Sequence, residues 1–401
     1  MMSDTLYRAA FVVPVSAPPI RDGFVSVRDG IITGVGPVGE RPEFANAREI
    51  DLGGAILMPG FVNAHTHLEL SHLEGAVRAD RGFVAWIEEQ LKVRAERPAE
   101  EVAPAIRKAI AALEANGTAA VADVSNSLAT VGSLRDSGLH ALVLHEILGF
   151  DPAKAAAVME QTKAARGTAR AVAESGGRVR IEVAAHAPHS ISAALFKLLL
   201  ADGGVRSIHV AESRSEDDFL RNGGGPWREF LDRRVGPMPF EPAHTSPVRY
   251  LDALGVLTPG LLAVHCVRVD EEDAKILALR GAIAVLCPRS NEFLGNGVPP
   301  LAMLLGNGVS IALGTDSLAS SASLDVIEDA RLLVRKFPRV PKTALLHALT
   351  RGGALALGFN DLGEIRPGAR AKFSAVSFDG LPPPDPIAFV LREAAPARGL
   401  A

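Results

Sequence analysis

The sequence predicts an α/β chain: a (β/α)8 TIM-like barrel carrying a small β-sandwich domain built from both chain ends. Three observations carry that prediction. Eight short apolar runs alternate with helical patterns through the middle of the chain, as parallel strands buried on both faces do. Period-two alternation dominates the two ends. Histidines and acids recur just after the apolar runs, at the strand ends where barrels keep their active sites. With 401 residues the chain can hold one large domain and an accessory one. The expected boundaries are 1–58 with 361–401 for the β domain and 59–360 for the barrel.

Taken in order, Ala10–Val15 and the alternating run Gly23–Gly36 read as β structure. Asp29-Gly30 divides the second run, and this dipeptide suits a type I′ turn, whose two central residues need positive φ. A hairpin is therefore expected there. Pro59-Gly60 punctuates the start of the first barrel strand, which runs into His65-Thr66-His67. A polar, helical stretch around Phe83–Ile87 and a helix over 100–115 follow. The other seven strands are expected at Thr118–Val124, Ala141–Leu144, Arg180–Ala185, Ser207–Val210, Leu261–Val264, Ile283–Leu286 and Ser310–Leu313. Eight such units over about 300 residues fit a closed barrel better than an open sheet. The longest insertion, 213–259, carries Gly223-Gly224-Gly225-Pro226-Trp227 and could line the barrel mouth. Past Leu357, β patterns return at Gly363–Gly368 and Lys372–Phe378. The N-terminal hairpin is the available partner for them, which implies one β domain assembled from both ends.

Composition narrows the function classes. Apolar residues make up 48% and charged residues 22%, with a formal net charge of −4, the profile of a soluble globular protein without a nucleic-acid surface. The start, Met1 to Arg8, has no basic patch leading into a long apolar run, and no stretch reaches about 18 uninterrupted apolar residues. Cys266 and Cys287 are the two cysteines, giving no disulfide framework and fitting a reducing compartment. The expectation is a cytoplasmic protein acting on a small-molecule substrate, with no nucleic acid and no membrane as partner; a homo-oligomer is compatible with the sequence.

His65 and His67, at i and i+2 on a strand, point to one side, and two imidazoles on one face can share a cation. A lone H-x-H pair is as readily two solvated or packed histidines. Further ligand-type residues decide the matter. Strand four ends in His186-Ala187-Pro188-His189, strand five in His209-Val210-Ala211-Glu212, strand six in His265-Cys266, strand seven in Cys287-Pro288-Arg289-Ser290-Asn291 and strand eight in Gly314-Thr315-Asp316. One such histidine is ordinary, but the same placement on five strands is not chance. Glu69, His72, Glu146, His189, Arg289 and Asn291 lie in or beside loops over the barrel, where each is either a ligand contact or solvated.

These pieces, with Pro59-Gly60-Phe61-Val62-Asn63-Ala64-His65-Thr66-His67, resemble the amidohydrolase superfamily and its cyclic-amidine deaminase branch over nearly the whole chain. The resemblance implies that His65, His67, His209 and Asp316 hold one divalent metal ion. It implies that Glu212, His265 and Asp316 are catalytic in moving protons and water, and that His186 contacts the substrate ring. Glu69, Arg289 and Asn291 are further substrate-binding candidates. Three imidazoles and a carboxylate suit Zn²⁺, with Fe²⁺ as the alternative, and leave a position for water. A second metal in this superfamily is often bridged by a modified lysine at the end of strand four. Arg180–Ala185 has no lysine, so a single metal is expected.

His67-Leu68-Glu69 together with Cys287-Pro288-Arg289-Ser290-Asn291 is most similar to the aminodeoxyfutalosine deaminases of menaquinone biosynthesis. Deaminases of adenosylhomocysteine, methylthioadenosine or guanine, and triazine or cyclic-amide hydrolases, share the framework. Arg370-Ala371-Lys372-Phe373 departs from the Ala-Asp pair usual in relatives before the last strand. A non-catalytic barrel used for binding is a different class of explanation, and the retention of every ligand and both proton-transfer candidates argues against it.

Overall fold

The computed structural model describes residues 4–41, 47–173, 177–238, 240–392 and 395–400. Met1 to Ser3, part of the N-terminal stretch read above, lie outside the described residues. An eight-stranded sheet runs Phe61–Thr66, Thr118–Ser125, His140–Ile147, Val179–Ala185, Ser207–Val210, Leu262–His265, Ile283–Leu286 and Ser310–Leu313, each strand bonded to the next in chain order. The pairings from the third strand to the eighth are parallel. Each strand lies within a few residues of its place in the sequence pattern, because runs such as Thr118–Ser125 are buried at every position and admit no other register against flanking helices. The ends of the first and last strands meet. His65 O accepts from Thr315 N and Asp316 N at 3.0 and 3.1 Å, and Thr66 bridges Asp316. The fold is a (β/α)8 barrel.

The chain divides into two compact units, one of Met1–Asn63, Ala111–Val121 and Asp325–Ala401, the other of Ala64–Ile110 and Ala122–Leu324. The first holds a mixed seven-stranded sheet drawn from both chain ends. Asp4–Val12 pairs antiparallel with Ile20–Arg28, which pairs with Ile31–Pro37, and Ala55–Pro59 pairs antiparallel with Phe373–Ser377. Asp29 and Gly30 take φ of 50° and 76°, the geometry expected for the hairpin turn. Tyr7, Val25, Ile32, Leu57, Ile365 and Phe373 pack as its core.

Gly363–Gly368, expected as β, is a loop. Gly363 and Gly368 sit at φ of 81° and 85°, and Pro367 has no N–H to give a ladder. The Pro/Ala-rich tail, which carried little pattern, forms helix Pro386–Arg392 and strand Ala397–Leu400, the latter pairing with Phe373–Ser377.

The second unit carries the loops after the strands. The 213–259 insertion forms helices Arg214–Asn222, Pro226–Val235 and Pro247–Ala253. Its Trp227 packs with Phe219, Leu220 and Val84. No helix among the described residues is long and apolar enough to cross a membrane.

Candidate active site

The site forms where strands one, five, six and eight end. His65 is fully buried, and its Nε2 lies 3.3 Å from His209 Nε2 and 3.8 Å from Asp316 Oδ1. His67 Nε2 is 3.6 Å from the same oxygen. Burial drives the His65 and His209 pKa values far below the ordinary range, so both rings are neutral and can offer a lone pair. His209 Nδ1 donates to the His186 carbonyl at 2.8 Å, which leaves Nε2 as the lone-pair nitrogen. Donor atoms held about 2.0–2.1 Å from a tetrahedral ion stand about 3.3–3.4 Å apart. Three donor pairs, His65–His209, His67–Asp316 and His65–Asp316, stand at 3.3, 3.6 and 3.8 Å, at or a little beyond that spacing, and the donor set of imidazoles and one carboxylate fits Zn²⁺ or Fe²⁺.

Asp316 is prepared by its neighbours. Its Oδ2 accepts from Ser290 Oγ at 2.6 Å and Ser320 Oγ at 3.0 Å, leaving Oδ1 for the imidazoles. Burial alone would raise this carboxyl, but the histidine charges and the Ser290 hydroxyl outweigh it and hold the pKa at about 2.

Glu212 and His265, the residues expected to move protons, lie beside this cluster. Glu212 is buried, and burial first, then the Asp316 and Glu216 charges, push its pKa well above the carboxylate range. Asn291 Nδ2 donates to His265 Nδ1 at 2.9 Å, so the imidazole hydrogen sits on Nε2, 3.7 Å from Glu212 Oε1. Burial pulls His265 down to about 4, keeping it neutral. Backbone strain gathers in the same turns: Ala211, His265, Cys266 and Asp316 all take positive φ, between 48° and 76°. Non-glycine residues adopt that conformation at some cost, and it aims side chains that a regular strand would send elsewhere.

His186 closes the ring of histidines. Ser190 Oγ gives its hydrogen to the Ala187 carbonyl, so the 2.7 Å contact to His186 Nδ1 is a bond donated by the imidazole, and Nε2 is left as an acceptor. A cavity of about 420 Å³ is lined by His67, His186, His209, Glu212, His265 and Asp316. Aromatic side chains, Phe83, Trp86, Trp227 and Phe230, also line it, with Trp227 stacked on His189 at 4.0 Å.

Three of the residues singled out from sequence stand behind the cavity. Glu69 accepts from the Ser125 and Ser127 hydroxyls at 2.7 Å each and from Arg94 at 2.9 Å, and so ties down the loop after strand two. Asn291 orients His265. Arg289 donates to the Ser323 hydroxyl and carbonyl at 2.9 and 3.0 Å and is not among the cavity-lining residues. Two residues escaped the sequence reading. Ser290, the donor to Asp316 Oδ2, is flanked in the Pro288–Asn291 motif by residues with stronger ligand-type signals. Glu216 accepts from Ala211 N and Glu212 N at 3.0 and 2.8 Å, and its signal was the Ser213-x-x-Glu216 capping pattern.

The model of the amidohydrolase family matches residues 56–399. A 5-methylthioadenosine/S-adenosylhomocysteine deaminase of Pelotomaculum thermopropionicum is 32% identical over 94% of this chain and 86% of its own length. Among solved structures, an adenosine deaminase of Xanthomonas campestris with bound zinc superposes with a TM-score of 0.83 at 28% identity, covering 99% of this chain and 90% of that one. The Helicobacter pylori aminofutalosine deaminase in complex with methylthio-coformycin shares the fold, with a TM-score of 0.85 at 24% identity over 98% and 97% of the two chains.

Proposed function

The chain belongs to the amidohydrolase family, and from that premise we propose that it is a metal-dependent deaminase that hydrolyses the amino group from an adenine-type nucleoside and releases ammonia. The observation that carries this reading is the cluster in which His65 lies 3.3 Å from His209 and 3.8 Å from Asp316 while His67 lies 3.6 Å from Asp316, beside buried Glu212, whose pKa burial raises well above the carboxylate range. His65, His67, His209 and Asp316 would hold one divalent ion, Zn²⁺ or Fe²⁺. When bound, that ion acts as a Lewis acid that brings the pKa of a water down to about 7.

The chain's own residues supply the rest. His186 Nε2 accepts from the heterocycle and sets its edge. His265 Nε2–H holds the attacking water in line. Asp316 Oδ1 takes the proton that the water loses as the C–O bond forms. Glu212 delivers its proton to a ring nitrogen as the amidine carbon becomes tetrahedral, then relays a proton to the amino nitrogen, which departs as ammonia. Burial suits Glu212 to this work, since a carboxyl held protonated near neutral pH can donate first and accept later.

The relatives' activity supports a thioether nucleoside such as methylthioadenosine or adenosylhomocysteine as substrate. The His67-Leu68-Glu69 and Pro288–Asn291 motifs, with the aminofutalosine deaminase fold, support aminodeoxyfutalosine and a place in menaquinone biosynthesis. We place the enzyme in the cytoplasm, where the two free cysteines would stay reduced. Ammonia release from a panel of aminodeoxyfutalosine, methylthioadenosine, adenosylhomocysteine, adenosine and guanine tests the reading. A metal-replete preparation that releases none from any of them overturns it.

A further inference from the structure

One group lining the cavity has no part in the chemistry above. Glu146 ends the third barrel strand, is 7% exposed and lines the cavity with His186 and His209. Its Oε2 accepts from Asn126 Nδ2 at 2.8 Å. Its Oε1 is buried and has no hydrogen-bond partner among the described residues. His209 Nδ1 lies 3.6 Å away, but its hydrogen already goes to the His186 carbonyl. Nor can the carboxylate readily turn to find another donor. Asn126 is locked in place, its Oδ1 accepting from Arg94 NH1 at 3.3 Å while Arg94 NH2 is paired to buried Glu69. A carboxylate oxygen kept from water without a donor is costly, and inside a binding cavity the missing donor is supplied by the ligand.

We infer that Glu146 Oε1 accepts a sugar hydroxyl of the substrate, so that the site selects ribonucleosides over free bases and over the corresponding deoxynucleosides. This rests on the deaminase reading. If the reacting carbon lies at the His65, His67 and Asp316 cluster and the heterocycle lies against His186, the sugar is the next part of the molecule along the cavity. Glu146 is beside His186, close enough for its charge to act on that imidazole. A neutral hydroxyl is the donor this oxygen can take without a second charge in the site. The carboxylate also lies with His67 and His209 in a trio whose ligand-type atoms are within 4.8 Å of one another, so a metal-ligand role is the competing assignment.

The experiment compares metal-replete wild type, Glu146→Ala and Glu146→Gln on 5′-methylthioadenosine and its 2′-deoxy and 3′-deoxy forms, by ammonia release. Metal content per chain is measured for each protein, and binding of coformycin against 2′-deoxycoformycin is measured by calorimetry. Wild type should lose roughly 10- to 100-fold in kcat/KM when one of the two hydroxyls is removed, mainly through KM. Glu146→Ala should lose a similar factor on the full nucleoside and almost nothing more on that deoxy form, with metal content unchanged. Glu146→Gln, which keeps one acceptor oxygen, should recover part of the loss. Indifference of the wild type to both hydroxyls, equal losses for Glu146→Ala on every substrate, or loss of metal from that variant would each overturn the assignment. Ammonia from any nucleoside upholds the deaminase reading whatever Glu146 does. Ammonia from guanine or adenine alone overturns the Glu146 assignment and leaves deamination standing, and ammonia from none overturns both.

Discussion

At the scale of single residues, roles follow from which atom each neighbour leaves available. Glu212 is the clearest case, because burial raises its pKa well above the carboxylate range and its Oε1 lies 3.7 Å from His265 Nε2. Glu212→Gln preserves shape but cannot alternate between donor and acceptor, so kcat should fall by about 10²- to 10⁴-fold while metal content stays that of wild type. Near-normal turnover would mean that another group relays the proton. His209→Ala removes a lone pair whose direction was set by the His186 carbonyl, and the expected result is loss of bound metal as read by elemental analysis. Arg289 gives a contrasting expectation. Its guanidinium is engaged by Ser323, so Arg289→Met should damage turnover of aminodeoxyfutalosine and of uncharged adenosine to a similar degree. A rise in KM confined to the carboxylate-bearing substrate would instead make Arg289 the cation that reads it.

At the scale of elements, the turn between strand five and helix Arg214–Asn222 carries Glu212, the proposed proton donor. Ser213 caps the helix by accepting from Glu216 N at 3.2 Å, and Glu216 reaches back past the cap to the N–H groups of Ala211 and Glu212. The left-handed Ala211 is thereby held, and with it the direction of Glu212. Burial pushes Glu216 up to about 7, against about 4.5 for a free glutamate. The folded protein then keeps a proton that the unfolded chain releases, so this group's contribution to stability falls as pH rises from about 4.5 to about 7, by about 3 kcal/mol at most. Buried histidines held neutral titrate with the opposite sign over an overlapping range. The difference between wild type and Glu216→Gln in urea unfolding therefore isolates the term: it should narrow between pH 5 and 8, with the wild type losing the more. A difference independent of pH would show that Glu216 is ionised throughout.

At the scale of the whole molecule, the barrel's closure and the metal cluster are one structure. The strand carrying His65 and the strand leading to Asp316 are joined through His65 O, and Gly314 lies so close that an added Cβ would meet His65 N and O at 2.9 Å. An ion binding to these ligands stabilises the folded state alone, by about 4 kcal/mol when free metal exceeds Kd a thousandfold. Chelation should lower the unfolding temperature as well as abolish activity, and one equivalent of Zn²⁺ should restore both. An active preparation without metal would sink the proposed mechanism. Gly314→Ala should weaken metal retention and stability together, since the extra methyl displaces the His65 backbone.

What the sequence determined alone was what depends on short range. The strand runs are legible because a strand buried on both faces must be apolar at nearly every position, as in Thr118–Ser125. The histidines proposed as metal ligands are legible because they stop those runs at their carboxyl ends. What only the tertiary structure decided was which polar atoms are satisfied. Glu69 and Glu146 look equivalent in the chain, two acids in loops over a barrel. One accepts from Ser125, Ser127 and Arg94, while the other has, among the described residues, no donor to its Oε1 at the cavity. The His67 to Asp316 approach and the Thr66 bond to the Asp316 carbonyl span about 250 residues of chain, and no local pattern encodes them. A hydrogen bond requires a donor and an acceptor at the same place, and for residues far apart in sequence only the closed barrel sets that place.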